Sequence, residues 1–198
     1  MNPKVEQQKH SHFAIYKPYG YLSQFINNGQ KQSAKKLLGE LYNFPIGTMA
    51  IGRLDEKSEG LLLLTTDGKI SNYICSGTTD KEYYAQVNGD ITTQAIESLR
   101  SGVQIGFDGK KYTTTPCKVN KIEPAPEFPE RSKKIRDSRH GPTSWVSITL
   151  QEGKFRQVRK MTSAVGFPTL RLIRVRVGSI HLKGMNVGEV RELESIAE

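Results

Sequence analysis

Short apolar runs separated by turn residues dominate the hydrophobic pattern of the chain. The run from Leu61 to Thr66 ends at Asp67-Gly68, a pattern typical of a strand buried on both faces. Tyr83, Ala85 and Val87 alternate with more polar positions, which predicts a half-exposed strand. By the same criteria we predict further strands at 13–16, 49–51, 117–122, 146–150, 169–178 and 189–193.

Helical spacing is less frequent than strand patterns. It predicts helices over 33–42, capped by Ser33, over 92–100, ended by Gly102, and over 155–165. Phe155, Val158, Met161, Thr162 and Val165 fall on one side of the last helix. Strands and helices do not alternate regularly, so the sequence predicts an α+β fold.

The length and charge of the chain narrow the possibilities. Its 198 residues fit one domain, and 29 basic against 20 acidic residues give a net charge of +9. A basic balance of this size fits a polyanionic partner such as nucleic acid. A basic surface that only keeps the protein soluble is the alternative, and charge alone leaves both open.

Membrane, secreted and metal-binding classes receive little support. No apolar run approaches the ~20 residues of a membrane helix, and the polar residues 1–11 lack a secretory signal and are expected to form a disordered tail. Cys75 and Cys117 stand far apart and are expected to be reduced, and the scattered histidines predict no metal site. We therefore expect a cytoplasmic protein.

The segment 52–60 is the strongest candidate for chemistry. Asp55, Glu56 and Glu59 lie on a loop directly before the buried strand, and Gly52 and Gly60 flank them. Glycines permit sharp turns and close approach of a ligand, and loops held by strands often carry catalytic groups. A surface turn whose charges pair with one another is the other interpretation.

Four motifs resemble one enzyme family. The string GRLDEKSEGLLLLTTDG, residues 52–68, closely resembles the signature loop of the pseudouridine synthases of ribosomal RNA, in the group formed by the A-type, B-type, E-type and F-type enzymes. Lys81-Glu82-Tyr83, the segment 152–161 (EGKFRQVRKM) and Lys17-Pro18-Tyr19-Gly20 resemble further motifs of that family. The resemblance covers roughly residues 13–193.

The resemblance implies specific roles. Asp55 is expected to be the catalytic carboxylate, Arg159 its basic partner, and Tyr83 the ring against the uracil, although Arg159 on a solvated helix face and Tyr83 in the core are the alternative interpretations. Arg53 is expected to fill the gap left by the departing uridine. The reaction isomerises its substrate, so no cofactor or metal is expected. Further expected RNA contacts are Lys17, Lys81, Arg156, Lys160, Arg171 and Arg174.

The resemblance also implies a fold and a substrate. It implies a mixed, mainly antiparallel sheet with flanking helices and a central active-site cleft between two lobes of a catalytic domain, residues 12–198. Residues 142–145 and 166–174 look like the E-type enzymes, which modify one uridine of 23S ribosomal RNA. We expect a monomer that acts on naked 23S RNA or on an assembling large ribosomal subunit.

A long loop, 124–144, is expected to grip RNA. The first strand begins near residue 13, so we expect no small N-terminal RNA-binding domain of the kind common in the group. The loop has prolines at 124, 126 and 129, which are expected to hold a basic half away from the domain. That half contains Arg131, Lys133, Lys134, Arg136 and Arg139. A solvated insertion without a role is the alternative.

Two other functions fit parts of the pattern. A non-catalytic RNA-binding factor in ribosome assembly explains the charge, but it has no need of a carboxylate facing a polyanion. A hydrolase would pair Asp55 with Glu56 or Glu59, but neighbouring carboxylates on a short loop need not converge on one substrate.

Overall fold

The computed structural model describes residues 9–26 and 35–196, and within them it contains one large sheet, a two-stranded ribbon and three α-helices. The helices are α1 (Gly68–Cys75), α2 (Thr93–Ser101) and α3 (Gln157–Ala164). The strands are β1 (His12–Lys17), β2 (Met49–Ala50), β3 (Glu59–Thr65), β4 (Lys81–Asn88), β5 (Gln104–Phe107), β6 (Lys110–Thr113), β7 (Lys118–Ile122), β8 (Thr143–Leu150), β9 (Thr169–Val177), β10 (Ile180–His181) and β11 (Val190–Leu193).

The large sheet is mixed and mainly antiparallel. Its strand order is β11-β1-β3-β9-β4-β8-β7, with β2 paired to β3 and β10 to β9, while β5 and β6 form the separate ribbon. The pairing of β3 with β9 is parallel and the other strand pairs are antiparallel. The predicted α+β class is confirmed.

The sheet is covered on both faces, as the run at 61–66 predicts. Leu62 and Leu64 of β3 pack in one core cluster and Leu61 and Leu63 in a second. Helices α2 and α3 contribute to the first cluster, and α1 contributes Ile74 to the second. Every residue of β3 is buried, so the loop that precedes this strand is anchored at its C-terminal end.

Two predicted helices differ from their predictions. Residues 33 and 34 lie outside the described residues, and Leu38–Glu40 is only a short 3-10 helix. Hydrogen bonds from Leu22 N to Lys36 O (2.9 Å) and from Leu38 N to Gln24 O (3.0 Å) hold this segment extended. Helix α3 begins at Gln157, because Arg156 takes a left-handed conformation with φ 53°, and Phe155 is therefore exposed outside the helix.

Helix α2 follows its prediction at both ends. The Thr92 hydroxyl accepts a hydrogen bond from Ala95 N (3.2 Å), an N-cap. Gly102 follows the helix with φ 101°, and a Cβ there would lie 2.3 Å from the Thr114 carbonyl oxygen. Helix α1 and the β5–β6 ribbon were not predicted. Asp67, predicted as a turn residue, is the N-cap of α1.

The N-terminal segment lies only partly within the described residues. Residues 1–8 of the predicted tail fall outside them. Ser11 N donates to the Thr66 hydroxyl (2.9 Å), which ties the residue before β1 to the end of β3. Within the described ranges, we find no helix that is both long and apolar enough to cross a bilayer.

Part of the loop 124–144 packs on the domain, so the prediction that its basic half is held away is wrong for Arg131 and Arg136. The Phe128 ring lies 5.7 Å from the Trp145 ring, centroid to centroid, and buries apolar surface there. The carbonyl oxygen of Pro129 accepts a hydrogen bond from Arg171 (2.8 Å), and Arg131 stacks over the Tyr19 ring at 4.5 Å. Arg136 donates to Asn88 and to the Pro142 carbonyl oxygen.

Candidate active site

Asp55 lies on the loop between β2 and β3, and two glycines shape this loop. Gly52 has φ 67° and Gly60 has φ 107°. A Cβ on Gly60 would lie 2.3 Å from the carbonyl oxygen of Arg174 in β9, so only glycine permits this approach of the strands. The sharp turn places the loop at the centre of the sheet, beside β9 and β4.

Hydrogen bonds from the KPYG segment and its neighbours fix the loop backbone. Ser23 Oγ donates to Leu54 O (2.9 Å) and accepts from Leu54 N (3.0 Å). Gly20 N donates to Glu56 O (2.8 Å), and Ser58 N donates to Asp55 O (2.9 Å). Asp55 therefore projects from a backbone that is held on both sides.

Each carboxylate of the loop pairs with a cation from another part of the chain. Asp55 Oδ2 lies 3.4 Å from Arg156 Nη1 and 3.7 Å from Arg159 Nε. Glu56 pairs with Lys35 at 2.9 Å, and Glu59 pairs with Arg171 at 2.7 Å in the interior. The interpretation as a surface turn whose charges pair with one another is therefore wrong. The three carboxylates also do not converge, which removes the support for a carboxylate-pair hydrolase.

Arg159 connects α3 to the loop. Besides its ion pair with Asp55, its Nη2 donates to Lys57 O (2.9 Å) and to Ser58 Oγ (3.1 Å). Burial lowers the pKa of Arg159 from its ordinary value, nearby Arg156 lowers it further, and Asp55 opposes both. An arginine remains cationic at neutral pH, so Asp55 faces two positive charges.

Tyr83 lines the same pocket as Asp55. It lies on β4, where it pairs with Arg174, and Arg174 pairs in turn with Gly60. The Tyr83 side chain is also part of the first core cluster, as the core interpretation expects, and its position in the pocket leaves the site interpretation open. The pocket further includes Arg53 and Arg156, and its apolar lining consists of Leu54, Leu150, Val158 and Leu172.

Glu152 is a pocket residue that belongs to one of the sequence motifs but was not predicted as a site residue. Its carboxylate accepts hydrogen bonds from the Tyr112 hydroxyl (2.5 Å), from Thr115 N (3.0 Å) and from Gln157 Nε2 (2.5 Å). It therefore joins the β5–β6 ribbon to the start of α3. An acidic residue two positions after an alternating strand, followed by glycine, was the available signal.

Three predicted RNA contacts are wrong, because the side chains are inside the protein. Lys17 is 0% exposed, and its ammonium donates to the carbonyl oxygens of Pro18 (2.9 Å) and Tyr21 (2.7 Å). Arg171 is engaged by Glu59, and Arg174 is 3% exposed and donates to Leu61 O (2.7 Å). Side chains buried in this way do not reach a phosphate.

The other predicted contacts remain accessible to different degrees. Arg53, Lys133, Lys134, Arg139 and Arg156 are exposed. Lys81 and Lys160 are partly exposed, and Lys160 donates to the carbonyl oxygen of Gly106 (2.6 Å). Arg136 is partly exposed, but both of its contacts with the domain occupy its guanidinium.

The buried Lys17 predicts a pH-dependent stability. Burial lowers its pKa from 10.5 to about 7, against the opposing effect of Glu59, Asp55 and Glu56. Below pH 7 the amine is protonated in folded and unfolded chains alike. Between 7 and 10.5 only the unfolded chain keeps the proton, so stability rises with pH.

We expect the free energy of unfolding of the wild type, minus that of Lys17→Met, to rise by roughly 3–5 kcal/mol between about pH 7 and 10. The lost hydrogen bonds to Pro18 and Tyr21 add an offset that does not change with pH. Urea unfolding across this pH range measures the difference. A difference that is flat across the range would contradict a neutral buried amine.

Comparison with known proteins identifies the family of this chain. A family model described as RNA pseudouridylate synthase matches residues 11–164, a range that includes Asp55, Tyr83, Arg156 and Arg159. The chain belongs to the RNA pseudouridylate synthase family. The resemblance of its motifs to this family is confirmed.

Individual relatives agree with the family model. The chain is 38% identical over 196 residues to ribosomal large subunit pseudouridine synthase E of Vibrio parahaemolyticus, covering 97% of this chain and 77% of the relative. It is 40% identical over 173 residues to the protein of the same name from Xanthomonas axonopodis pv. citri, covering 86% and 87%. A crystal structure of a pseudouridylate synthase matches with a TM-score of 0.71 at 25% identity, covering 94% of this chain and 71% of that one.

For pseudouridylate synthase chemistry the site brings together the Asp55 carboxylate, the guanidinium groups of Arg156 and Arg159, and the Tyr83 side chain. Among the residues that the structure describes, no group of three or more histidine, cysteine, aspartate and glutamate side chains is placed to hold a metal ion. Cys75 and Cys117 are not joined in a disulfide.

Proposed function

We propose that this protein converts one uridine of 23S ribosomal RNA to pseudouridine, with Asp55 as the catalytic carboxylate. The observation that carries the proposal is the placement of Asp55, which two arginines hold in the pocket that Tyr83 also lines. The names of the relatives from Vibrio and Xanthomonas supply the class of substrate.

A uridine must leave its stack before it can enter this pocket. Flipping a base costs a few kcal/mol, which a side chain filling the gap partly offsets. Arg53 is exposed at the edge of the pocket, two residues before Asp55. We assign Arg53 to the gap left by the uridine, and the apolar lining of the pocket to the faces of the uracil ring.

The reaction exchanges one bond to the ribose for another. The bond from ribose C1′ to uracil N1 breaks, the base turns over, and C1′ bonds to C5. The proton on C5 leaves and N1 gains one, so atoms balance with no second substrate. In this proposal Asp55 acts on the substrate as a nucleophile or by its charge, and both roles need the ionised carboxylate.

Arg159 keeps Asp55 in place while the base excludes water. An isolated carboxylate loses its hydration at high cost in a filled pocket, and a nearby cation reduces that cost. Arg159 also holds the backbone at Lys57, so the same side chain orients the loop. Arg156 supplies a second, more exposed charge.

The Tyr83 hydroxyl is assigned to the proton transfer that completes the isomerisation. Tyr83→Phe keeps the ring and its packing but removes the hydroxyl, so we expect kcat to fall by about 10²–10³-fold. RNA affinity should change little. Single-turnover rates and filter binding measure the two effects, with Tyr84→Phe on the neighbouring position of β4 as the control. A rate for Tyr83→Phe equal to that of the wild type would exclude the hydroxyl from the chemistry.

The exposed cations of the loop 124–144 are assigned to RNA phosphates. Arg131 and Arg136 contact the domain, which leaves Lys133, Lys134 and Arg139 exposed, although Arg139 pairs with Asp137 at 2.7 Å. Each phosphate contact releases counterions and steepens the dependence of affinity on salt.

Changing Lys133, Lys134 and Arg139 together to alanine should lower the slope of log affinity against log salt by about 1–3. The control is the triple alanine variant of Lys69, Lys118 and Lys183, which removes equal charge from exposed positions outside the loop and the site. If both triple variants change the slope equally, the loop is no special RNA contact.

We propose further that the enzyme acts as a monomer in the cytoplasm. The basic charge of the chain fits an RNA partner, and light scattering of the purified protein with and without RNA tests the oligomeric state.

Purified protein tests the function directly. It should form pseudouridine in protein-free 23S RNA or in an assembling large ribosomal subunit. Chemical mapping by reverse transcription locates the position, and 16S RNA treated in parallel is the control. Modification of 16S RNA alone would contradict the proposed substrate, and modification of neither RNA would contradict the activity.

A further inference from the structure

The β5–β6 ribbon lies beside the active-site pocket and contacts both helix α3 and a residue of the pocket. Lys160 Nζ of α3 donates to Gly106 O of the ribbon (2.6 Å). The Tyr112 hydroxyl of the ribbon donates to Glu152 (2.5 Å), which lines the pocket together with Asp55. A ligand that extends out of the pocket therefore has this ribbon next to it.

Aromatic rings and ammonium groups share the surface between the ribbon and α3. The Phe107 and Tyr112 rings lie 6.1 Å apart, and Lys154 Nζ lies 5.1 Å from each ring. Lys160 Nζ lies 5.3 Å from the Phe155 ring and 6.0 Å from the Phe107 ring. We call these five residues the aromatic platform.

Phe155 is the member that the fold does not explain. It is 66% exposed, and it stands between two pocket residues, Lys154 and Arg156. The left-handed conformation of Arg156 redirects the backbone before α3 starts, so Phe155 does not turn inward with the helix face that the sequence predicts. An exposed phenylalanine at this place leaves ring surface free for a ligand.

We propose that the aromatic platform stacks an unpaired base of the RNA next to the target uridine. Base stacking on aromatic side chains together with contacts of lysines to the backbone is the common mode of binding to single-stranded RNA. The platform combines both features within the reach of the pocket. A paired base has its faces covered by its neighbours, so the platform selects a flanking nucleotide that is already unstacked. This inference rests on the proposed function, because it assumes that the substrate is RNA.

Phe155 can be changed without disturbing the core, since its side chain is exposed. Phe155→Leu keeps an apolar side chain and removes the ring, whereas Phe155→Trp keeps a stacking surface. We expect Phe155→Leu to raise KM and Kd for the RNA roughly tenfold and to change kcat less than that. Phe155→Trp should bind RNA like the wild type. Thermal unfolding should be the same for all three proteins.

A scan of the RNA with single abasic nucleotides identifies the stacked base. One abasic position flanking the target should weaken binding to the wild type but cause no further loss in Phe155→Leu, because the two changes remove the same contact. Ile46→Ala, at another exposed hydrophobic position outside the platform, should show the wild-type pattern at every abasic position.

The outcomes separate this inference from the proposed function. If the wild type forms pseudouridine and Phe155→Leu binds every abasic RNA with the same relative losses as the wild type, the platform is overturned alone. Equal weakening of Phe155→Leu and Phe155→Trp also overturns it, since it shows that stacking is not the property lost. If the wild type modifies no RNA, the proposed function fails, and the Kd comparison still decides the platform because it needs no turnover.

Discussion

Asp55→Asn should stop isomerisation while the protein still folds and binds RNA. The substitution keeps the shape of the side chain and removes the negative charge that faces Arg156 and Arg159. We expect kcat to fall by at least about a thousandfold, because the reaction loses the group that acts on the sugar or the base. RNA affinity should be equal or slightly higher, since the RNA no longer meets a negative charge.

The matched control is Glu56→Gln, the same chemical change one residue further along the loop. Glu56 pairs with Lys35 and not with the arginines of the pocket. The turnover rate of Glu56→Gln should therefore stay within about threefold of the wild-type rate, because only a partly exposed ion pair is lost. Release of tritium from uridine labelled at C5 measures both rates. Turnover of Asp55→Asn near the wild-type level would overturn the catalytic assignment and would favour a protein that only binds RNA.

Arg171→Met should be among the most destabilising single changes. Arg171 and Glu59 form a buried ion pair at 2.7 Å, and Arg171 also donates to the carbonyl oxygen of Pro129 in the loop 124–144. Removing the arginine leaves a buried carboxylate without a partner, which costs about 3–5 kcal/mol of the free energy of unfolding.

The double variant Glu59→Leu with Arg171→Met separates charge from packing. Without the carboxylate there is no uncompensated charge, so the double variant should recover most of the stability that the single variant loses. Urea unfolding at neutral pH measures all three proteins. Equal stabilities of Arg171→Met and the wild type would contradict the burial of this pair, and a double variant no better than the single one would show that packing of the loop dominates.

Local pattern was sufficient to predict the central strands and the position of the loop that carries Asp55. Burial of both faces of β3 and of alternate residues of β4 produces a periodicity that is visible without knowledge of the partners. The loop was predictable because its glycines and carboxylates are contiguous. The pairing of Asp55 with Arg159 came from the family resemblance, since the two residues are distant in sequence and no periodicity links them.

Predictions of RNA contacts were less successful. Lys17, Arg171 and Arg174 were expected to contact RNA, yet each binds carbonyl oxygens or a carboxylate in the interior. Such partners come from other parts of the chain, so the sequence of one segment does not reveal them. The prediction for the loop 124–144 failed for a related reason. Its composition is that of a solvated arm, but contacts with distant parts of the chain, such as that of Phe128 with Trp145 and that of Arg131 with Tyr19, bring part of it onto the domain.

Pseudouridine mapping in cells tests the central claim most directly. Ribosomal RNA from cells with the gene, without it, and carrying only Asp55→Asn is treated with a reagent that marks pseudouridine, and the positions are read by reverse transcription. We expect one pseudouridine of 23S RNA to be lost in the deletion, to remain absent with Asp55→Asn, and to return with the wild-type gene. A 23S pattern that is identical in all strains, or restoration of the lost position by Asp55→Asn, would contradict this account.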